Sequence, residues 1–331
     1  VAPARGRWRW VLAFVVAAIA ASAGVLLTVA PTVGLGRAFG ISALLPARTA
    51  ITAAALALGV VLALCCLTRV GRPLLPIATA LLVVSILNLP VVVFRGFSTD
   101  PPPAAGVGQL RVLEWNTNGG LVEPSVVAAL AARERADVVV LPDAQIASTG
   151  SAYLAAFDAQ GAPFRLYSGT SPSAQVAVFL SPGLGAGYPG VIAGPDADTT
   201  IVLEPSSSRL PTIVALHSPI PTPAGIARWR DDLSWVSERC GSGSVLVAGD
   251  FNASVDDFGG PGLGRCRDVA TTMGAASVGT WPTRLPAFLG MPIDHVLLAG
   301  AVAHVRSFSV LTSEDASGAR HRPTLTVIAT G

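Results

Sequence analysis

No Asp or Glu occurs before Asp100, and that acid-free stretch holds three uncharged runs, 10–36, 49–68 and 73–94. Each run reaches the roughly 20 residues that cross a hydrocarbon core as helix. None carries a polar face, so folding them into a water-soluble core would leave them nothing to hide behind. The pattern predicts three membrane spans, with Pro31 closing the first helix near Ala30. All 20 acids follow, and 8 of the 22 arginines lie before Ser98; lysine is absent. Residues 100–331 then carry 14 arginines against 20 acids, a formal charge of −6 that the whole-chain value of +2 conceals. Two unlike parts are expected, a membrane part over 1–97 and a folded part over 109–331. A Pro/Gly linker over 98–108 joins them.

Arginine placement sets the expected orientation. Arg5, Arg7, Arg9, Arg69 and Arg72 fall on one side of the spans, and Arg37, Arg48 and Arg95 on the other. The richer side is cytoplasmic by the positive-inside rule, which puts the N-terminus inside and the C-terminal part outside. The first run also has the look of a signal peptide, with Ala21-Ser22-Ala23 as a cleavage site. Its removal would leave the C-terminal part outside all the same. Cys240 and Cys266 are two thiols in an exported part: a disulfide and a pair of buried free thiols are both open readings.

Beyond the linker the pattern alternates strands and helices. Strands are predicted over 110–114, 137–141, 174–180, 200–204, 211–216, 244–248, 295–298, 303–310 and 324–329. Helices are predicted over 124–135, 152–159 and 223–240, the last amphipathic around Ile226, Trp229, Leu233 and Val236. Such a mixture over about 220 residues fits one α/β sandwich flanked by helices. Loops 181–189 and 259–264, rich in Gly and Pro, read as flexible, and Asp256 and Asp257 as a solvated loop.

Four segments carry chemistry: Trp115-Asn116-Thr117-Asn118, Gly249-Asp250-Phe251-Asn252, Ile293-Asp294-His295 and His321-Arg322-Pro323. Gly249-Asp250-Phe251-Asn252 follows an apolar run, so a buried strand there ends by presenting a carboxylate and a carboxamide at a loop. Three of the four histidines, His217, His295 and His321, border apolar runs beside a carboxylate, carboxamide or proline. His304 reads as a structural mid-strand residue. Each segment alone is a weak signal; the ordered set is specific.

That ordered set resembles the endonuclease/exonuclease/phosphatase superfamily, the DNase I-like two-sheet sandwiches, over about 109–330. The resemblance implies roles residue by residue. Asn116 and Asp143 stand where the family binds metal, with Mg²⁺ or Mn²⁺ as the implied cofactor, and Asn118 is a polar neighbour. Asp250 activates or orients the attacking water, Asn252 holds a phosphate oxygen, and His217 contacts phosphate. Asp294 pairs with His321, the family's last histidine. Two departures fall on the metal corner: Asp143 replaces a Glu, and Arg320 replaces a carboxylate. They imply weakened metal binding, and a pair between Arg320 and Asp143 is expected. The implied function is a membrane-anchored, extracytoplasmic metal-dependent phosphoesterase. The alternative is a weakened or dead member serving as a binding or sensory domain. Nucleic-acid binding usually brings a basic surface, so the −6 charge lowers the nuclease reading. The anchor favours a lipid head group or another envelope phosphoester as substrate.

Overall fold

The computed structural model describes residues 4–259, 262–302 and 304–329. Helix α1 (Ala4–Val29), the short α2 (Ile41–Leu44), α3 (Arg48–Cys65) and α4 (Leu75–Arg95) form the acid-free part. Helices α1, α3 and α4 are long and apolar enough to cross a membrane. Helix α4 packs against both α1 and α3. Small residues permit the approach: Gly24 meets Val84, and Gly59 meets Leu82. Large apolar side chains such as Phe14, Ile19, Leu58 and Ile86 stay exposed on the outside of the bundle.

The rest comprises β1 (Gln109–Glu114), α5 (Pro124–Arg133), β2 (Val138–Leu141), α6 (Ile146–Ala159), β3 (Arg165–Ser168), β4 (Ala177–Leu180) and α7 (Pro182–Gly185). There follow β5 (Ile192–Ala193), β6 (Thr200–Leu203), β7 (Thr212–His217), α8 (Ile226–Arg239), β8 (Val245–Asp250), β9 (Arg267–Asp268) and α9 (Val269–Thr272). The chain closes with β10 (Asp294–Ala299), β11 (Val305–Val310) and β12 (Thr324–Ala329). Among the described residues these strands make two sheets, ordered β11-β12-β1-β2-β4-β3 and β5-β6-β7-β8-β10-β9.

Strand periodicity builds the layers. Val112, Val140, Val178, Ala215, Leu246 and Val296 point between the sheets and form one core. The intervening residues point outward. Leu113, Val139 and Phe179 meet α5 and α6 through Val127, Leu130 and Phe157. Val214, Val247 and Leu297 meet α8 through Trp229, Leu233 and Val236.

Several expectations change. Helix α6 starts at Ile146, well before 152, while the strand expected from 174 forms only from Ala177. Strands β3, β5 and β9 lack a period strong enough to see in the sequence; two of them have two residues each. Loop 181–189 is not a cleft wall: it holds α7, fixed by Tyr167 Oη donating to Gly185 O and Tyr188 O at 2.8 Å. In loop 259–264, Gly260 and Pro261 lie outside the described residues, as does Ala303 at the start of the expected strand 303–310. His304 is exposed just before β11 rather than mid-strand.

The largest correction concerns Asp256 and Asp257, which are buried. Arg48, at the start of α3, donates from Nε to Asp256 Oδ2 at 2.9 Å, from Nη1 to Asn88 Oδ1 at 2.8 Å and from Nη2 to Leu27 O at 2.6 Å. Arg95 pairs with the other Asp256 oxygen. One guanidinium thus joins α1, α3 and α4 to the loop that follows Asn252. Arg37 Nε donates to Asp257 O at 3.0 Å, and Arg230 Nε donates back to Arg37 O at 2.8 Å. Cys240 and Cys266 form a disulfide that closes the same loop.

Candidate active site

The inward-facing alternation continues past the core to one end of the sandwich. On β8, Leu246 and Ala248 face inward, and Asp250 shares their parity. On β7, Ile213 and Ala215 lead to His217; on β10, Val296 and Leu298 count back to Asp294. Register aligns the three, since His217 pairs with Asp250 across the parallel β7–β8 ladder and Asp294 pairs with Asp250 across β8–β10. The other sheet contributes from the same end: Asn116 follows β1, Asp143 follows β2 and His321 precedes β12. Gly249 has φ +152, and a Cβ there would collide with Leu216 O of the neighbouring strand, so only glycine lets β8 carry Asp250 this close to β7.

Asn116, Asn118, Asp143, His217, Asp250, Asn252, Arg320 and His321 all line one pocket of about 720 Å³. Asp294 sits behind His321, accepting from its Nδ1 at 2.9 Å. His321 Nε2 faces Asp250 Oδ2 at 3.9 Å, and His217 Nε2 faces the same oxygen at 4.0 Å. Both separations exceed a direct hydrogen bond. Asn116 Nδ2 donates to Asp250 Oδ2 at 2.8 Å, while the Asn252 amide donates to Oδ1 at 2.8 Å. Asn252 Nδ2 donates to Ser218 O at 2.9 Å. Asn118, Asp143 and Asn252 have φ of 53°, 50° and 46°, left-handed backbone in three pocket residues. Such conformations cost free energy and cluster where a site holds side chains against preference.

Charge is arranged to make a cation of His321. Burial disfavours the imidazolium, but the charge and hydrogen bond of Asp294, with Asp250 and Asp143 beyond, raise its pKa to about 9. Burial, and then the charge of Asp294, push the Asp250 carboxyl up, against the opposing pull of the two histidines.

Among the described residues Arg320 forms no ion pair with Asp143. Arg320 is exposed on the rim, and its neighbour Arg322 takes the buried position, held by Asp315 at 2.7 Å. His295 also leaves the site. Its Nδ1 pairs with Asp268 at 2.8 Å and its Nε2 donates to Ala253 O at 2.9 Å, fixing the loop behind Asn252.

Sequence reasoning missed several participants. Gln175 Oε1 accepts from His217 Nδ1 at 3.1 Å, which turns Nε2 toward Asp250. Trp115 Nε1 donates to His321 O at 2.9 Å. Glu114 lies fully buried on the inner face of β1, two residues below Asn116; Thr324 Oγ1 donates to it at 3.0 Å. Burial, and then the charge of Asp294, push that carboxyl well above the usual range. Its signal was there to read: an acid that shares the parity of Leu110 and Val112, two residues before Asn116.

Asp250, Asp294 and His321 present ligand atoms within 4.8 Å of one another, a group compact enough for an ion. Asp294, however, is taken up by His321, and a protonated His321 is no ligand. The oxygen donors left to the pocket, Asp143, Asp250 and the Asn116 carboxamide, fit a hard divalent cation such as Mg²⁺ or Mn²⁺.

The model of the Endonuclease/Exonuclease/phosphatase family matches residues 113–321. Solved structures share the fold. TDP2 from Caenorhabditis elegans aligns at 17% identity over 67% of this chain and 74% of that one, with a TM-score of 0.51. A humanized TDP2 from D. rerio, carrying 14 mutations, aligns at 14% identity over 67% of this chain and 99% of that one, with a TM-score of 0.52. No curated protein sequence matches the chain.

Proposed function

The chain belongs to the endonuclease/exonuclease/phosphatase family, and from that premise we propose that it is a membrane-anchored, extracytoplasmic hydrolase of phosphoesters. The observation that carries the proposal is the Asp250 carboxylate, flanked within 4.0 Å by two imidazole Nε2 atoms at the end of the inter-sheet core. In this mechanism Asp250, at the pocket floor, orients a water and takes its proton. His321, kept cationic by Asp294, donates to the phosphoryl oxygen on which charge builds. His217 and Asn252 hold further phosphate oxygens, and Asn118 and Arg320 border the substrate. Asp143, Asn116 and Asp250 would hold Mg²⁺ or Mn²⁺, which when bound supplies positive charge to the phosphoryl and leaving oxygens. Asp143 is one methylene shorter than the Glu that the resemblance implies at this position, so weakened metal binding is expected.

The location rests on three supports. Arginines favour a cytoplasmic side holding Arg69 and Arg72. The Cys240–Cys266 disulfide suits an oxidising compartment. Segment 30–48, which ends on the first residue of α3, touches the catalytic part through Arg37 and Arg48, as two elements on one side of a bilayer can. A substrate on a membrane lipid or other envelope phosphoester fits this location, and the −6 charge argues against nucleic acid.

The test is hydrolysis of bis(p-nitrophenyl) phosphate by the full chain in dodecyl maltoside, with Mn²⁺ added. We expect turnover that Asp250→Ala and His321→Gln each lower by at least about 10²-fold, the usual worth of a general base or a charge-stabilising donor. Asp143 and Arg320 favour a second reading, a binding domain that has lost catalysis. Absence of turnover with any divalent cation, on a panel including DNA, sphingomyelin and inositol phosphates, would establish that reading.

A further inference from the structure

The catalytic pocket has a wall that does not come from the sandwich. Phe39, Ser42, Ala43 and Pro46, from the segment joining α1 to α3, line it opposite Asp250, His217 and His321. Pro46 is two residues from Arg48, where α3 begins, and the Arg48–Asp256 pair fixes that junction to the catalytic loop. The pocket therefore lies beside the start of α3, one of the three helices long and apolar enough to cross a membrane.

Its chemistry is graded. The floor is polar and charged. Apolar side chains border it too: Phe39 and Ile220, 59% and 62% exposed, both line the pocket. Exposed apolar side chains gathered around one opening mark a surface meant for something apolar.

We propose that the segment between the first two spans is part of the substrate site, and that the substrate is a phosphoester lipid resident in the same bilayer. This rests on the phosphoesterase reading and names the substrate class for it. The phosphate sits on the Asp250 floor, and the first part of the hydrocarbon chain runs past the exposed Phe39 and Ile220 toward the membrane. Water adds to phosphorus, one phosphorus–ester oxygen bond breaks, and the departing oxygen leaves with a proton as an alcohol. A soluble phosphoester would gain nothing from the apolar walls.

The experiment uses the full chain in dodecyl maltoside micelles with Mn²⁺. It compares dioleoyl with dibutyryl phosphatidic acid, and dioleoyl with dibutyryl phosphatidylglycerol. Head groups match within each pair, so only the chains differ. For at least one pair, kcat/KM for the dioleoyl lipid is expected to exceed that for its dibutyryl partner by at least about tenfold. Micelle enrichment alone would also favour the dioleoyl lipid, so the decisive reading is the same ratio in Phe39→Asp and Ile220→Asp. Both side chains are exposed, and both variants keep the anchor. The ratio is expected to fall at least severalfold in both variants, to what micelle enrichment alone leaves. A ratio unchanged in both variants, a wild-type ratio of one, or turnover of bis(p-nitrophenyl) phosphate with none of either dioleoyl lipid overturns the lipid assignment alone. No turnover of any substrate overturns the phosphoesterase reading with it.

Discussion

Replacing Arg48 with Met tests how the spans are tied to the catalytic part. Arg48 is 2% exposed and makes three charge-assisted bonds, to Asp256, Asn88 and Leu27. Methionine keeps the length of the stem and removes all three donors. Asn88 Oδ1 and Leu27 O then lose a donor, and Asp256, 4% exposed, retains only Arg95. Removing one partner of a buried ion pair costs about 3–5 kcal/mol. Because Arg95 stays on Asp256, the lower end, about 3 kcal/mol, is the expected loss. At roughly 2–4 °C per kcal/mol for a chain of this class, the melting temperature falls by about 6–12 °C. The companion is the double variant Arg48→Met with Asp256→Met, which removes the stranded charge; Arg95, partly exposed, then turns to water. If the cost is an uncompensated buried charge, the double variant loses less than the two single variants together, by about 2 kcal/mol. Tryptophan fluorescence during thermal unfolding of the full chain in detergent reads all four proteins. Strict additivity of the single losses, or an Arg48→Met melting point within about 1 °C of wild type, refutes the reasoning.

Other outcomes follow from the same contacts. Burial raises the Asp257 carboxyl to about 8, so its folded pKa stands above its unfolded one. Its contribution to stability is then complete below about pH 4 and lost as pH rises through about 8. Asp257→Asn should flatten that part of the melting-temperature profile, and an unchanged slope contradicts the assignment. The Cys240–Cys266 bridge closes a 26-residue separation, for which chain entropy gives about 3 kcal/mol. Cys240→Ser with Cys266→Ser should melt lower by several degrees, and reductant should leave that variant unaffected while lowering wild type. Arg320→Asp restores a carboxylate at the pocket rim, and we expect it to lower the Mn²⁺ concentration giving half-maximal turnover. An unchanged metal requirement means that Arg320 does not set it.

Much of this site was legible in the sequence because strands alternate. A short apolar run that ends in a polar residue announces a side chain at the lip of a core, and Asp250 and His217 have that form. The helices α5 and α8 were legible for the analogous reason of their apolar spacing. Asp256 and Asp257 were not, because their partners Arg48, Arg95 and Arg37 lie more than 150 residues away and nothing local marks them as paired. The same limit hid the pocket wall from 39–46, whose residues read only as a loop between spans. Arg320 shows the converse error. Opposite charges at matched motif positions suggested a pair with Asp143, yet the backbone turn sends Arg322 inward and leaves Arg320 at the rim. His295 drew attention for its position beside Asp294, but successive strand residues face opposite sides, so it could not share the pocket.

The most direct test of the account is hydrolysis of bis(p-nitrophenyl) phosphate in ¹⁸O-labelled water by wild type and Asp250→Asn, with both products analysed by mass. The account expects wild type to put one ¹⁸O on the phosphorus-bearing product and none on the phenol, and Asp250→Asn to form almost no labelled product. Label on the phenol, or labelled phosphate formed equally fast by Asp250→Asn, would contradict it.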